Sequence, residues 1–167
     1  GWPYASPGQA NIPMALKWML CFEEPETRTL WLAKATPREW LKAGETPIAA
    51  TNLTTRYGRV SFTLSAPASA SGGYSVHASL WLPASFGESP PEGGIRLRLR
   101  APLGTAGKLS NVTVGGKPWT AFSASKETID FAASEITPGL IEQARSIRAY
   151  FLGKNRPLRP ASCDSSR

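Results

Sequence analysis

The residues able to do acid–base chemistry are few, and their placement is poor for it. A general acid and a general base acting across a scissile bond must be held ~5 to 10 Å apart. Glu23, Glu24 and Glu26 form the one carboxylate cluster. With Pro25 and Thr27 between and beside them they read as a hairpin turn, which has no walls to shift a pKa. Glu127 and Asp130 flank Ile129 on one strand and are expected to share a face, but their neighbours are not groups that would bind a substrate. His77 is the only histidine, so a multi-histidine metal site and a Ser-His-Asp triad both have little to draw on; its Ser-rich strand makes it an exposed or interface residue. Gly115-Gly116-Lys117 lacks the spacing of a phosphate-binding loop. The sequence therefore predicts no catalytic residue, no metal site and no cofactor.

Tryptophan is the informative residue type. There are six in 167 residues, and indole serves equally as a core filler, an interface anchor and a stacking platform for a sugar ring. Trp18 shares parity with four apolar residues and is expected in the core. Trp40 is expected to seal one end of the molecule. Trp31 and Trp81 lie opposite the apolar positions of their strands, and Trp119 follows a turn. An aromatic surface for carbohydrate is sought first at Trp81, Trp119 and Tyr57. Cys21 sits in an apolar run and reads as a buried free thiol; Cys163 lies in a polar stretch and is its one conceivable partner. Asn52-Leu53-Thr54 and Asn111-Val112-Thr113 satisfy the N-glycosylation pattern, which tilts the expected location towards secretion or an organelle lumen.

These residues stand on a chain that is 41% hydrophobic and 19% charged, enough for one domain with a real core. Gly and Pro, 15 each, punctuate it too often for long helices to dominate. The longest apolar runs fall far below the ~20 residues needed to cross a bilayer, and GWPYASPGQA lacks the basic start and apolar stretch of a signal peptide. The expectation is a soluble chain without membrane insertion, any targeting segment having been removed. The net charge of +7 is concentrated at one end: residues 145 to 167 carry six basic residues against Asp164, leaving only +2 for the remainder. A near-neutral body with a basic tail is not a nucleic-acid-binding pattern, which needs cations gathered on a folded face beside stacking aromatics.

The elements follow from periodicity. Met14, Leu16, Trp18, Leu20 and Phe22 alternate, which predicts a strand over 14–22 that turns at 23–27 and returns over 28–34. Thr36-Pro37-Arg38-Glu39 has the pattern of a capping box and predicts a short helix closing at Gly44. Strands are expected near 47–53, over 59–66 with Val60, Phe62 and Leu64 inward, over 74–82, over 95–100 with Arg96, Arg98 and Arg100 outward, as a Gly115-Gly116 hairpin within 109–119, and over 127–131. Thr137-Pro138 starts a helix to about Arg145, followed by a strand to Leu152. About eight or nine strands at this spacing, with one or two short helices, predict an all-β antiparallel sandwich. Residues 1–13 would be an N-terminal extension, 14–152 the sandwich, and 153–167 a basic flexible tail.

The segments WLAKATPREWLKAGETPI, TTRYGRVSFTLSA, GGIRLRLRAP and LSNVTVGGKPWTAFSASKETIDF, in this order, resemble the C-terminal β-sandwich domain of the (α/α)6-toroid, or six-hairpin, glycoside hydrolases. The resemblance covers about residues 14 to 132. Gly115 stands where that family often has Asn or Asp, an exchange of one turn residue for another. The family's general acid and base lie in the helical toroid, which would precede Met14. The resemblance therefore implies a non-catalytic accessory module whose partners are a catalytic toroid or other protein chains, with carbohydrate as its candidate ligand. Arg96, Arg98 and Arg100 are the expected docking face, suited to bidentate pairing with carboxylates. The alternative is a structural subunit that kept the sandwich and uses interface aromatics and the basic tail for assembly.

Overall fold

A computed structural model describes residues 7–68, 74–102 and 108–152. It is an all-β sandwich of two mainly antiparallel sheets. The five-stranded sheet runs β1 (Cys21–Glu24), β2 (Thr29–Leu32), β6 (Ile95–Arg98), β10 (Thr128–Phe131), β9 (Phe122–Ser123). The six-stranded sheet runs β3 (Ile48–Thr55), β4 (Gly58–Ser65), β5 (Tyr74–Trp81), β11 (Ile147–Phe151), β7 (Leu109–Val114), β8 (Lys117–Pro118). Among the described residues only β2 and β6 pair in parallel.

Alternation determines which side of each strand meets the core. Val60, Phe62 and Leu64 of β4 and Val76, Ala78 and Leu80 of β5 are buried against Leu30, Leu32, Ile95, Leu97, Ile129 and Phe131 of the opposite sheet. The residues between them point outward, as a period of two requires. Gly115 and Gly116, at φ 57° and 79°, make the tight β7–β8 turn. Thr137 caps α2 (Pro138–Gln143), its Oγ1 accepting the Leu140 N–H at 3.2 Å. The helix-then-strand order expected over 137–152 is present.

Three expectations are corrected. The alternating segment 14–22 is a strand only from Cys21; Pro7–Leu20 is a helix, α1. Ala33 adopts a left-handed φ of 54°, which ends β2 at Leu32, opposite Cys21. Before Cys21 the paired register stops, and only the Leu20 and Met19 carbonyls still accept bonds, from Ala33 and Ala35. Ala15, Leu16, Lys17, Met19 and Leu20 then follow their own helical preference. Trp18 is accordingly 53% exposed rather than in the core. Second, the capping box does not form: a single 3-10 turn spans Arg38–Trp40 with Pro37 in the cap position, the Thr36 hydroxyl is buried without a partner, and Trp40 is exposed. Third, the turn after β1 lies at 25–28, so Glu23 and Glu24 are strand residues.

Candidate functional site: two outer sheet faces and an uncovered helix

The outer face of the five-stranded sheet is internally paired. Arg96 forms an ion pair with Asp130 and stacks its guanidinium 4.9 Å from the centre of the Trp31 ring. Lys34 sits 3.9 Å over Phe22 and 5.0 Å from the Trp31 centroid. The Trp31 indole N–H donates to Glu24 at 3.2 Å and Thr27 Oγ1 donates to the same carboxylate at 2.8 Å. Those two hydrogen bonds, with Lys34 adding a smaller effect, hold the Glu24 carboxyl below its ordinary range. Arg98 donates to the Lys34 carbonyl at 3.2 Å and Arg100 to the Thr36 carbonyl at 3.3 Å. All three arginines of the expected docking row are half-buried: Arg96 is paired within its own sheet, while Arg98 and Arg100 reach the connection after β2 and keep their Nε atoms buried without a partner.

Beyond that row, Arg38 makes a fork of two bonds to Glu127, at 2.9 and 2.6 Å, and a third to the Ala101 carbonyl at 2.9 Å. Glu127 also accepts the Ala101 N–H at 3.1 Å and sits at a left-handed φ of 55°. The pair ties the connection after β2 to the ends of β6 and β10. Glu127 lies in the turn before β10 instead of on the strand with Asp130, so the two share no strand face, and each is held by a separate arginine. Glu23 bonds Arg56 Nε at 2.6 Å, joining β1 to the β3–β4 turn. Among the described residues no group of three or more His, Cys, Asp or Glu could hold a metal. Burial pushes the Cys21 thiol up to about 11, and the side chain is a free, buried thiol. Cys163 lies outside the described residues, as do the remaining basic residues from 153 onward.

The three candidate sugar-binding aromatics lie in different places. Trp119 donates its indole N–H to the Asp130 carbonyl at 3.1 Å and packs 5.2 Å from the Phe131 ring. Tyr57 meets Phe86 edge-on at 6.3 Å. Both pack against the core. Trp81 alone presents an open indole, 43% exposed, on the outer face of the six-stranded sheet. It stands opposite Ser61 and beside Thr63 and Thr51 in a shallow open depression. Asn52 and Asn111 are both exposed, Asn52 at a left-handed φ of 54° in an irregularity of β3 and Asn111 on β7. His77, half-buried on the same face, is opposite Arg148; burial first and Arg148 second lower its pKa.

The third surface is α1. Its C-terminal end is fixed to the sandwich by the Ala33 N–H donating to Leu20 at 2.6 Å and the Ala35 N–H donating to Met19 at 2.9 Å. Ile12, Met14, Leu16 and Trp18 are 60%, 48%, 42% and 53% exposed. Ile12 with Leu16 and Met14 with Trp18 form two i,i+4 pairs on different sides, so the helix is apolar around most of its circumference. The two-residue spacing that resembles a strand in the sequence is these two pairs interleaved.

No family model, curated protein or solved structure matches this chain.

Proposed function

We propose that the chain is a non-catalytic β-sandwich accessory module that docks on a catalytic toroid domain or another partner chain through α1. The observation that supports this is the uncovered helix. A helix apolar on most sides is normally buried, and an exposed apolar surface of this kind marks an interaction site. Each of Ile12, Met14, Leu16 and Trp18 has about half its surface still to bury, worth on the order of 1 kcal/mol apiece. Together that is about 4 kcal/mol, or roughly 10³ in Kd. The resemblance to the sandwich of six-hairpin glycosidases supplies the kind of partner, an all-helical surface.

The docking face is accordingly assigned to α1 instead of Arg96, Arg98 and Arg100, since recruiting those arginines would break bonds they already make. Coexpression with an (α/α)6 catalytic domain from the same genome tests the reading. A 1:1 complex in size-exclusion chromatography with light scattering is expected, lost when Ile12, Met14, Leu16 and Trp18 are all changed to Ser while the sandwich melts as before. A complex that survives those changes, or none at tens of micromolar protein, overturns docking through α1.

A further inference from the structure

Two arginines stand apart from the rest. Arg28, Arg38, Arg56, Arg96 and Arg145 are paired with Glu92, Glu127, Glu23, Asp130 and Glu142. Arg98 and Arg100 are bonded to carbonyls. Among the described residues only Arg59 and Arg148 have neither an ion pair nor a hydrogen bond from the guanidinium, and both are exposed on the same outer sheet face as Trp81. The register fixes their arrangement. Ser61 is opposite Trp81, and Arg59 is the next outward residue of β4, ~7 Å along the strand. On the other side, Arg148 is opposite His77, four residues of β5 or ~13 Å from Trp81. The two cations therefore flank the indole along a line of ~20 Å.

The ground between them is hydroxylic: Thr63 is opposite Ser79, Ser65 opposite His77, and Thr113 opposite Arg148. None of the six strands contains an Asp or Glu. With no carboxylate to neutralise it, the face carries a positive potential that a neutral ligand would leave unused. A protein partner would call for a continuous apolar centre, and among the described residues of this face Trp81 is the one exposed large hydrophobic residue.

We propose that the outer face of the six-stranded sheet binds an acidic polysaccharide strand. Trp81 stacks on the C–H face of one sugar ring. Arg59 and Arg148 take carboxylate or sulfate groups of units on either side, for which the guanidinium fork is suited. Ser and Thr hydroxyls between them meet the sugar hydroxyls. The inference does not use α1, and the fourfold Ser variant of that helix is expected to bind polysaccharide like the unaltered chain. Failure of docking and failure of this site are thus separable.

Affinity electrophoresis of the full chain, produced without N-glycans, tests it in gels containing polygalacturonate, alginate or chondroitin sulfate. Fully methyl-esterified polygalacturonate serves as the uncharged control. The expected result is retardation by at least one acidic polymer, weakened by salt, with little in the esterified gel. Trp81→Ala should weaken the apparent affinity at least tenfold, as should Arg59→Ser with Arg148→Ser. If Trp81→Ala lowers the melting temperature, Trp81→Tyr must retain intermediate affinity. The proposal is overturned by no retardation in any acidic gel, by equal retardation in the esterified gel, or by retardation that Trp81→Ala leaves unchanged, which would place the binding cations elsewhere, including residues 153–167. Tighter, Trp81-dependent binding of single-stranded DNA would assign the face to nucleic acid and overturn it equally.

Discussion

Glu127 offers the sharpest test of how the sandwich is held, because two separable effects meet at one residue. Its side chain is only 10% exposed and is bonded by both arms of Arg38 and by the Ala101 N–H. Removing one partner of a fully buried pair costs about 3–5 kcal/mol. Arg38 keeps 38% of its side-chain surface in water and a second bond to the Ala101 carbonyl. The expected loss for Glu127→Ala is therefore reduced to about 2–3 kcal/mol. For a domain of this size that lowers the melting temperature by roughly 5–10 °C. The left-handed φ of 55° adds a second effect of opposite sign. Alanine in that region costs about 1 kcal/mol, whereas glycine adopts it freely. Glu127→Gly, which loses the same bonds, should thus be more stable than Glu127→Ala by about 1 kcal/mol. Urea unfolding of both variants and of Arg38→Ala, closed as a double-mutant cycle, should return a coupling of about 2 kcal/mol. If Glu127→Ala melts within 2 °C or so of the unaltered chain, the pair is not structural. If alanine equals or exceeds glycine, residue 127 does not hold a left-handed backbone.

Three further outcomes are expected. Gly94 has φ 75°, and a Cβ there would lie 2.2 Å from the Phe131 carbonyl, so Gly94→Ala should lose more than the ~1 kcal/mol of backbone strain alone; a smaller loss in urea would contradict the close approach of β6 and β10 at this point. Iodoacetamide at pH 8 should label Cys21 far more slowly in the folded chain than in urea, given burial and a thiol raised to about 11; equal rates by peptide mass spectrometry would contradict this. The His77 ring, followed by NMR, should titrate below 6.5, and Arg148→Ser should raise its midpoint. Because the folded chain then holds the His77 proton less tightly than the unfolded chain, this group's contribution to stability is complete above ~6.5 and declines as the pH falls below it. A midpoint above 6.5 would reverse that sign.

The strands most readily read from the sequence are those whose alternation is set by a single core. Val60, Phe62 and Leu64, and likewise Ile95 and Leu97, can bury only one face, so parity alone orients them. Gly115-Gly116 and Thr137-Pro138 were equally legible, since turn and cap geometry demand those residue types locally. The helix α1 was not legible because spacing by two also arises from interleaved i,i+4 pairs; what decides between them is Ala33 closing β2, a tertiary fact. The commitments of the arginines were hidden for a related reason. Arg38 and Glu127 are 89 residues apart in sequence, and nothing in IRLRLR reveals that its outward residues reach Asp130 and the carbonyls of Lys34 and Thr36. Of the candidate aromatics, Trp81 was placed on an outer face by parity, whereas Trp119 and Tyr57 follow or occupy turns, where parity has no force.

The position of β11 has a consequence for how the molecule comes to be built. Although it is the last described strand in chain order, β11 lies in the interior of the six-stranded sheet, hydrogen-bonded to β5 on one side and β7 on the other. Until Ile147–Phe151 has been synthesised and inserted, both neighbours expose unpaired backbone along an edge, with Val76, Ala78, Val112 and Val114 beside it. Such edges invite pairing with other chains, and contacts this distant in sequence form slowly. The sandwich therefore closes from the middle, and its vulnerability to aggregation is greatest between the completion of β7 and the arrival of β11.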